Sequence, residues 1–215
     1  MIKREGWKVN HKKVERIYGE ERLSLRVRKR RKFASVPRIP LPKPDQPGKV
    51  YAMDFVHDRL ASGRRFKCLT MTDPCSKEAP VIEVDFSIPG LRVCRILDRI
   101  FANRPLPEAI VVDNGPEFSG SALDAWAFKN KVQLHFIQPG KPVQNAYCES
   151  FNGKFRDECL NKNWFLTLQE ARAIIEAWRK EYNEDRTHSS IGDLTPAEFI
   201  KTKQQMALAS NGLTS

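Results

Sequence analysis

Apolar positions along the chain follow two periods, and each stretch points to its own element. Val50-Tyr51-Ala52-Met53-Asp54-Phe55-Val56 is an almost unbroken apolar run, the pattern of a buried strand. Arg65-Phe66-Lys67-Cys68-Leu69-Thr70-Met71 and Val81-Ile82-Glu83-Val84-Asp85-Phe86 alternate, which predicts two antiparallel strands. Ala109-Ile110-Val111-Val112-Asp113 predicts another buried strand, and Asn114-Gly115-Pro116 stops it with a turn. Val132, Leu134 and Phe136 supply a fifth. Between these runs the period lengthens: Val93, Ile96, Leu97, Ile100 and Phe101, then Leu123, Trp126 and Ala127, sit at helical spacing. The order is an α/β one, with a mixed five-stranded sheet flanked by helices.

Helical spacing dominates after residue 145. In Cys148–Leu160, Cys148, Phe151, Phe155 and Cys159 gather on one side. At about 100° and 1.5 Å per residue, Arg156 lies about 20° around from Glu149 and about 10 Å further along, with Asn152 between them. Glu149, Asn152 and Arg156 thus form a polar ridge, either an ordinary solvated face or a surface laid along a ligand. Thr167-Leu168-Gln169-Glu170 is a capping box opening a helix with Leu168, Ala171, Ile174, Ile175, Trp178 and Tyr182 on one face. Thr195-Pro196-Ala197-Glu198 repeats the device, with Pro196 in the first turn. Upstream, Asn10 is placed to cap a helix carrying Val14, Ile17 and Tyr18. Five prolines, from Pro37 to Pro47, make residues 36–48 a stiff linker. The resulting partition is an arm over 1–35, the linker, a core over 49–200 and a frayed tail over 201–215.

Charge sharpens this partition. The chain carries 37 Lys and Arg against 26 Asp and Glu, a net +11. Residues 1–50 hold 16 of the bases and 5 of the acids (16 − 5 = +11), so the remainder is formally neutral. The basic charge belongs to the arm, densest at Arg26–Lys32, and is the footprint of a polyanion-binding segment. Arg28, Arg30, Arg31 and Lys32 are its candidate contacts. Five scattered cysteines suit buried, reduced thiols better than disulfides, and neither they nor the four histidines show zinc-ligand spacing. No run approaches the ~18 apolar residues of a membrane span, and the basic N-terminus lacks a signal peptide's apolar core. A cytoplasmic protein is expected.

The candidate chemistry lies in three acids. Asp54 interrupts a buried strand, Asp113 closes another, and Glu149 follows Asp113 after 35 intervening residues (114 to 148). Open α/β sheets place ligands at the carboxyl ends of their strands, and three carboxylates there can hold two divalent ions for phosphodiester chemistry. Asp58, Asp73, Asp85, Glu117 and Glu158 are the rival acids; none combines strand-end placement with this spacing. The Gly- and Pro-containing segment 138–145 offers Lys141, Gln144 and Asn145 as phosphate and base-edge partners, or serves as a plain loop.

These residues resemble the integrase-core transposases of bacterial insertion sequences, OrfB-type products related to retroviral integrase. The resemblance rests on Met53-Asp54-Phe55-Val56, Gly63-Arg64-Arg65-Phe66, Asp113-Asn114-Gly115-Pro116-Glu117-Phe118 and Glu149-Ser150-Phe151-Asn152-Gly153. It continues through Phe155–Leu160, Tyr182-Asn183, Arg186, His188 and Thr195–Phe199. It implies a ribonuclease-H-like fold, and Asp54, Asp113 and Glu149 as catalytic ligands of two Mg²⁺ ions, with Mn²⁺ a possible substitute. It also implies DNA cleavage followed by strand transfer to target DNA, by a homo-oligomer assembled on element ends. Asn152, Lys154 and Arg156 join the candidate DNA contacts on that view. The N-terminal helix resembles the end of a helix-turn-helix-like region, so an abbreviated N-terminus is expected, with a recognition protein from an upstream frame as a further partner. Two alternatives stay open: a DNA-binding fragment or regulator without transposition activity, and a nuclease that cuts without joining.

Overall fold

A computed structural model describes residues 10–21, 44–137 and 146–211 of the 215-residue chain. The chain divides into two units, Met1–Ile39 and Pro40–Ser215. In the first, helix α1 (His11–Glu20) is capped by Asn10, whose side chain accepts the Lys12 N–H at 3.0 Å, as its sequence position predicts. Arg28, Arg30, Arg31 and Lys32 lie outside the described residues, as do Lys141, Gln144 and Asn145.

The second unit is built on a five-stranded sheet in the order β3-β2-β1-β4-β5. The strands are β1 (Val50–Arg59), β2 (Arg65–Thr72), β3 (Val81–Asp85), β4 (Ala109–Val112) and β5 (Gln133–Phe136). β1–β2 and β2–β3 are antiparallel, whereas β1–β4 and β4–β5 are parallel. The mixed sheet follows from its connections: segments without a helix, residues 60–64 and 73–80, join the first three strands, and helices carry the chain to the last two. Those helices are α2 (Gly90–Phe101) and α3 (Ser121–Asn130); α4 (Ala146–Glu158), α5 (Leu168–Glu184) and α6 (Pro196–Asn211) follow the sheet.

Alternation along the strands fills two cores. Met53, Leu69, Met71, Ile110 and Val112 face one side with Val93 and Leu97 of α2 and Leu123 and Trp126 of α3. Val56, Phe66, Cys68, Ile82 and Val84 face the other, beneath Phe151 and Phe155 of α4, Cys159 just after it, and Ile175 and Tyr182 of α5. Trp178 completes an aromatic cluster, its ring centroid 5.2 Å from Phe155 and 5.3 Å from Tyr182, so it is a packing residue as its helical spacing implies.

β1 runs three residues beyond its apolar stretch because His57, Asp58 and Arg59 keep pairing with β2, ending at Arg59 opposite Arg65. α6 likewise continues to Asn211, through the tail read from the sequence as frayed. Its last turns are rich in Lys, Gln, Met, Ala and Leu, strong helix formers, which sustain a helix without an apolar stripe.

Candidate active site

The parallel pairing of β1 with β4 brings the first two acids level. Ala52 pairs with Val111, and continuing that register two residues sets Asp54 beside Asp113. The third comes from the first turn of α4, which lies over β1 and β2 because its buried side (Cys148, Phe151, Phe155, Cys159) faces the sheet. Glu149 is therefore exposed, while Asp54 and Asp113 are half-buried.

Each sheet acid is held by N–H groups. Asp54 Oδ1 accepts the Phe55 N–H at 2.7 Å, and its Oδ2 accepts the Asn152 amide at 2.9 Å. Asp113 Oδ1 accepts the Gly115 N–H at 2.9 Å. A Cβ on Gly115 would lie 2.9 Å from that same oxygen, so glycine is what lets the turn close over Asp113. Burial pushes the Asp54 carboxyl above the usual carboxylate range. The negative charges of Asp113 and Glu149 push it further up, against the hydrogen bonds from Phe55 and Asn152, which draw it down. Asp113 and Glu149 thus both bear on Asp54.

The rival acids are engaged elsewhere. Asp73 is buried in the β2–β3 turn, accepting from the Gly48 and Cys75 N–H groups and the Ser76 hydroxyl. Asp85 pairs with Arg92 and Arg172, Glu117 with Lys67, and Glu158 with Arg186. Asp58 caps the N–H of Arg59. Among the described residues, no Lys or Arg is ion-paired with Asp54, Asp113 or Glu149. An all-oxygen donor set carrying excess negative charge fits a hard divalent cation. Among the described residues, no three His, Cys, Asp or Glu side chains lie close enough together to hold a metal ion as they stand.

The helix ridge is less uniform than its periodicity implies. Asn152 turns toward the sheet: Thr70 Oγ1 donates to its Oδ1 at 2.9 Å while its NH₂ donates to Asp54. Both ends of the amide are engaged within the protein. Arg156 is half-buried and donates Nη2–H to the His57 carbonyl at 3.0 Å. Lys154 lies about 140° around α4 from Glu149, half-buried on the flank with Arg186 and Glu158. Burial and then Arg186 lower its pKa, with Glu158 opposing. Thr70, missed in the sequence, is a buried hydroxyl in β2 directly across from Asp54. Its signal was a polar residue at an inward strand position, interpretable once the hairpin register is known.

This mixed five-stranded sheet with its flanking helices is a ribonuclease-H-like fold. The HTLV-2 integrase catalytic core domain in complex with magnesium (trimeric form) aligns with a TM-score of 0.55 at 15% identity, over 72% of this chain and 97% of that one. The catalytic core domain of BIV integrase aligns at 0.56, also at 15% identity, over 75% and 99%. In sequence, residues 44–142 and 130–196 each match an integrase core domain family. The 31.7 kDa protein of insertion element IS407 from Burkholderia multivorans is 52% identical over 199 residues, covering 93% of this chain and 72% of that protein. The 39.2 kDa protein of insertion element IS476 from Xanthomonas euvesicatoria is 47% identical over 191 residues, and this chain spans 55% of its length. The chain belongs to the insertion-sequence transposases that carry an integrase core domain.

Proposed function

We propose that this chain cleaves DNA at the ends of an insertion element and joins the freed 3′ ends to target DNA, with Asp54, Asp113 and Glu149 as its catalytic carboxylates. The observation that carries this reading is the strand register that sets Asp54 level with Asp113, with both Asp113 and Glu149 bearing electrostatically on Asp54, while the five rival acids are taken up by cations or backbone N–H groups. In the first reaction water attacks a phosphodiester and the bond to the 3′ oxygen breaks. In the second, the released 3′-hydroxyl attacks a phosphodiester of the target, and the target's own bond from phosphorus to its 3′ oxygen breaks, leaving a 3′-hydroxyl on the target strand.

Asp54, Asp113 and Glu149 would hold two Mg²⁺ ions, with Mn²⁺ a possible substitute. Bound there, the pair supplies Lewis acidity that favours deprotonation of the attacking hydroxyl and steadies the leaving oxygen. The protein's own part is orientation. Asn152 and the Phe55 N–H fix both oxygens of Asp54, and Gly115 fixes one of Asp113. Arg156, through N–H groups not used on His57, and Lys141, Gln144 and Asn145 are candidates for contacts to DNA. The basic arm over residues 1–35 supplies non-specific affinity, the linker over 36–48 separates it from the core, and the active form is a homo-oligomer on element ends. An upstream-frame protein is a candidate source of end recognition. No helix among the described residues is long and apolar enough to cross a membrane; we place the activity in the cytoplasm, with the DNA.

The test is a strand-transfer assay on labelled element-end oligonucleotides. Asp54→Asn, Asp113→Asn and Glu149→Gln should each abolish joining and leave DNA affinity within about twofold of wild type. Mg²⁺ should raise the melting temperature of the wild-type chain by mass action and that of each variant less. Substantial residual joining by any one variant removes that residue from the set. Cleavage without joining by the wild type would favour the nuclease alternative.

A further inference from the structure

The β1–β2 hairpin projects past the acids. Asp54 is level with Asp113, yet β1 continues five residues further, to Arg59, a distance of about 16 Å. Over that stretch β1 pairs with β2 but has outrun β4. Arg59 and Arg65 are direct cross-strand partners and close the hairpin, and both are exposed. Like charges facing each other across a ladder are unfavourable. Among the described residues neither arginine forms an ion pair. Their neighbours are engaged differently: Arg64 lies 3.4 Å over the Phe86 ring, and Lys67 pairs with Glu117. Two arginines thus face each other across the ladder, and among the described residues neither has an ion-pair partner.

Their position has a direction. By strand alternation Arg59 shares the face of Phe55, which stacks on Phe118 of the Asp113 turn, ring centroids 5.0 Å apart. The pair therefore stands beyond that turn, further along the strand that bears Asp54 but on the opposite face of the sheet, since Asp54 shares the side of Ala52 and Val56 beneath α4. The hairpin turn also touches the segment before α5: the Ala61 N–H donates to the Phe165 carbonyl at 2.8 Å, and the preceding residue, Trp164, is 77% exposed. Exposed aromatic rings beside guanidiniums are what nucleic-acid surfaces use.

We propose that Arg59 and Arg65 form a phosphate-binding site that grips the DNA backbone as it leaves the acid cluster, a role resting on the function proposed above. Arginine suits it because its planar fork matches phosphate oxygens. The preorganised pair would accept two phosphates, or one between them, and binding would relieve its own repulsion.

The experiment uses the full chain and a fluorescein-labelled 30-base-pair duplex, with affinity followed from 50 to 200 mM salt. Arg59→Gln/Arg65→Gln should flatten the log–log salt slope by about 2, making its affinity deficit about tenfold larger at 50 mM than at 200 mM. Arg95→Gln/Lys129→Gln, which removes two exposed cations on α2 and α3, should leave the slope unchanged. The hairpin variant should melt at the wild-type temperature or above, since a repulsion is removed. An unchanged slope, an equal loss in the control, or a melting temperature lowered by several degrees would each overturn the proposal. Wild-type joining measured on the same preparation separates the two readings. A flattened slope without joining supports the hairpin site while sinking the enzymatic assignment; joining with an unchanged slope does the reverse.

Discussion

Asn152 was legible as a polar residue beside Glu149 but not as a ligand of Asp54. Periodicity gives an azimuth on the helix, whereas the contact depends on how α4 sits over β1 and β2. The amide is oriented by Thr70: its hydroxyl donates to Oδ1, which leaves the NH₂ group for the Asp54 carboxylate. We expect Asn152→Ala to raise the Mg²⁺ concentration for half-maximal joining and to lower kcat by about 10–100-fold, the usual cost of losing a partner that orients a metal ligand. DNA affinity should hold. Thr70→Val should do the same more weakly and Thr70→Ser should restore it. A wild-type Mg²⁺ titration for Asn152→Ala would leave the amide a packing detail.

His188 is the residue-scale case in which pH decides. It is buried, its ring lies 5.1 Å from Tyr182, and its Nε2 has no hydrogen-bond partner among the described residues. Burial, followed by the positive charges of Lys154, Arg186 and Lys77, holds its pKa down to about 4. The unfolded chain takes up this proton near pH 6.5 and the folded chain only near pH 4, so between those values protons favour the unfolded state. This contribution to stability is present above about pH 6.5 and is lost as pH falls toward 4. Urea unfolding at pH 7.5 and pH 5 should show His188→Phe losing less stability than wild type. Equal losses would mean that the ring is already charged in the fold.

At the level of elements, capping chemistry was read well because it is local. Thr195 Oγ1 accepts the Glu198 N–H at 3.2 Å and Glu198 Oε2 accepts the Thr195 N–H at 2.9 Å, completing the box seen in the sequence. Thr195 is buried, so Thr195→Ala should cost about 1 kcal/mol and lower Tm by about 2–4 °C in a chain of this size; no shift would mean that α6 starts elsewhere. What local patterns could not supply was extent. β1 outlasts its apolar run because its partner strand persists, and α6 outlasts the residues the sequence reading assigned to it because helix propensity alone sustains it. The Glu117–Lys67 pair was hidden for a related reason: 49 residues separate its members, so only the assembled sheet brings the Asp113 turn against β2.

For the molecule as a whole, the mixed sheet was readable from the order of elements, since connections without a helix allow antiparallel neighbours and helical crossovers allow parallel ones, whereas the order β3-β2-β1-β4-β5 emerges only in the structure. The three acids are proposed from spacing and resemblance, and the sheet accounts for the separation of Asp113 from Glu149: the 35 residues between them hold one helix, one edge strand and the approach to α4. The distribution of charge carries a separate expectation. If the arm's cations neutralise about six phosphates, the log–log salt slope for duplex binding should lie near −5. Removing residues 1–35 should flatten it by several units. A slope unmoved by that deletion would shift the binding surface onto the core, despite its formal neutrality.

All five cysteines are buried and free of disulfides. Burial raises the thiol pKa of Cys148 and Cys159 to about 12, and that of Cys68 also lies above its usual value. Thiolates, not thiols, react with alkylating reagents, so the folded chain should be nearly silent toward them and label only when it opens. It is a cysteine-free surface without any mutagenesis. A thiol introduced at an exposed position would react against a dark background, which makes the native sequence suited to site-directed cross-linking and fluorescence mapping of the path DNA takes across it.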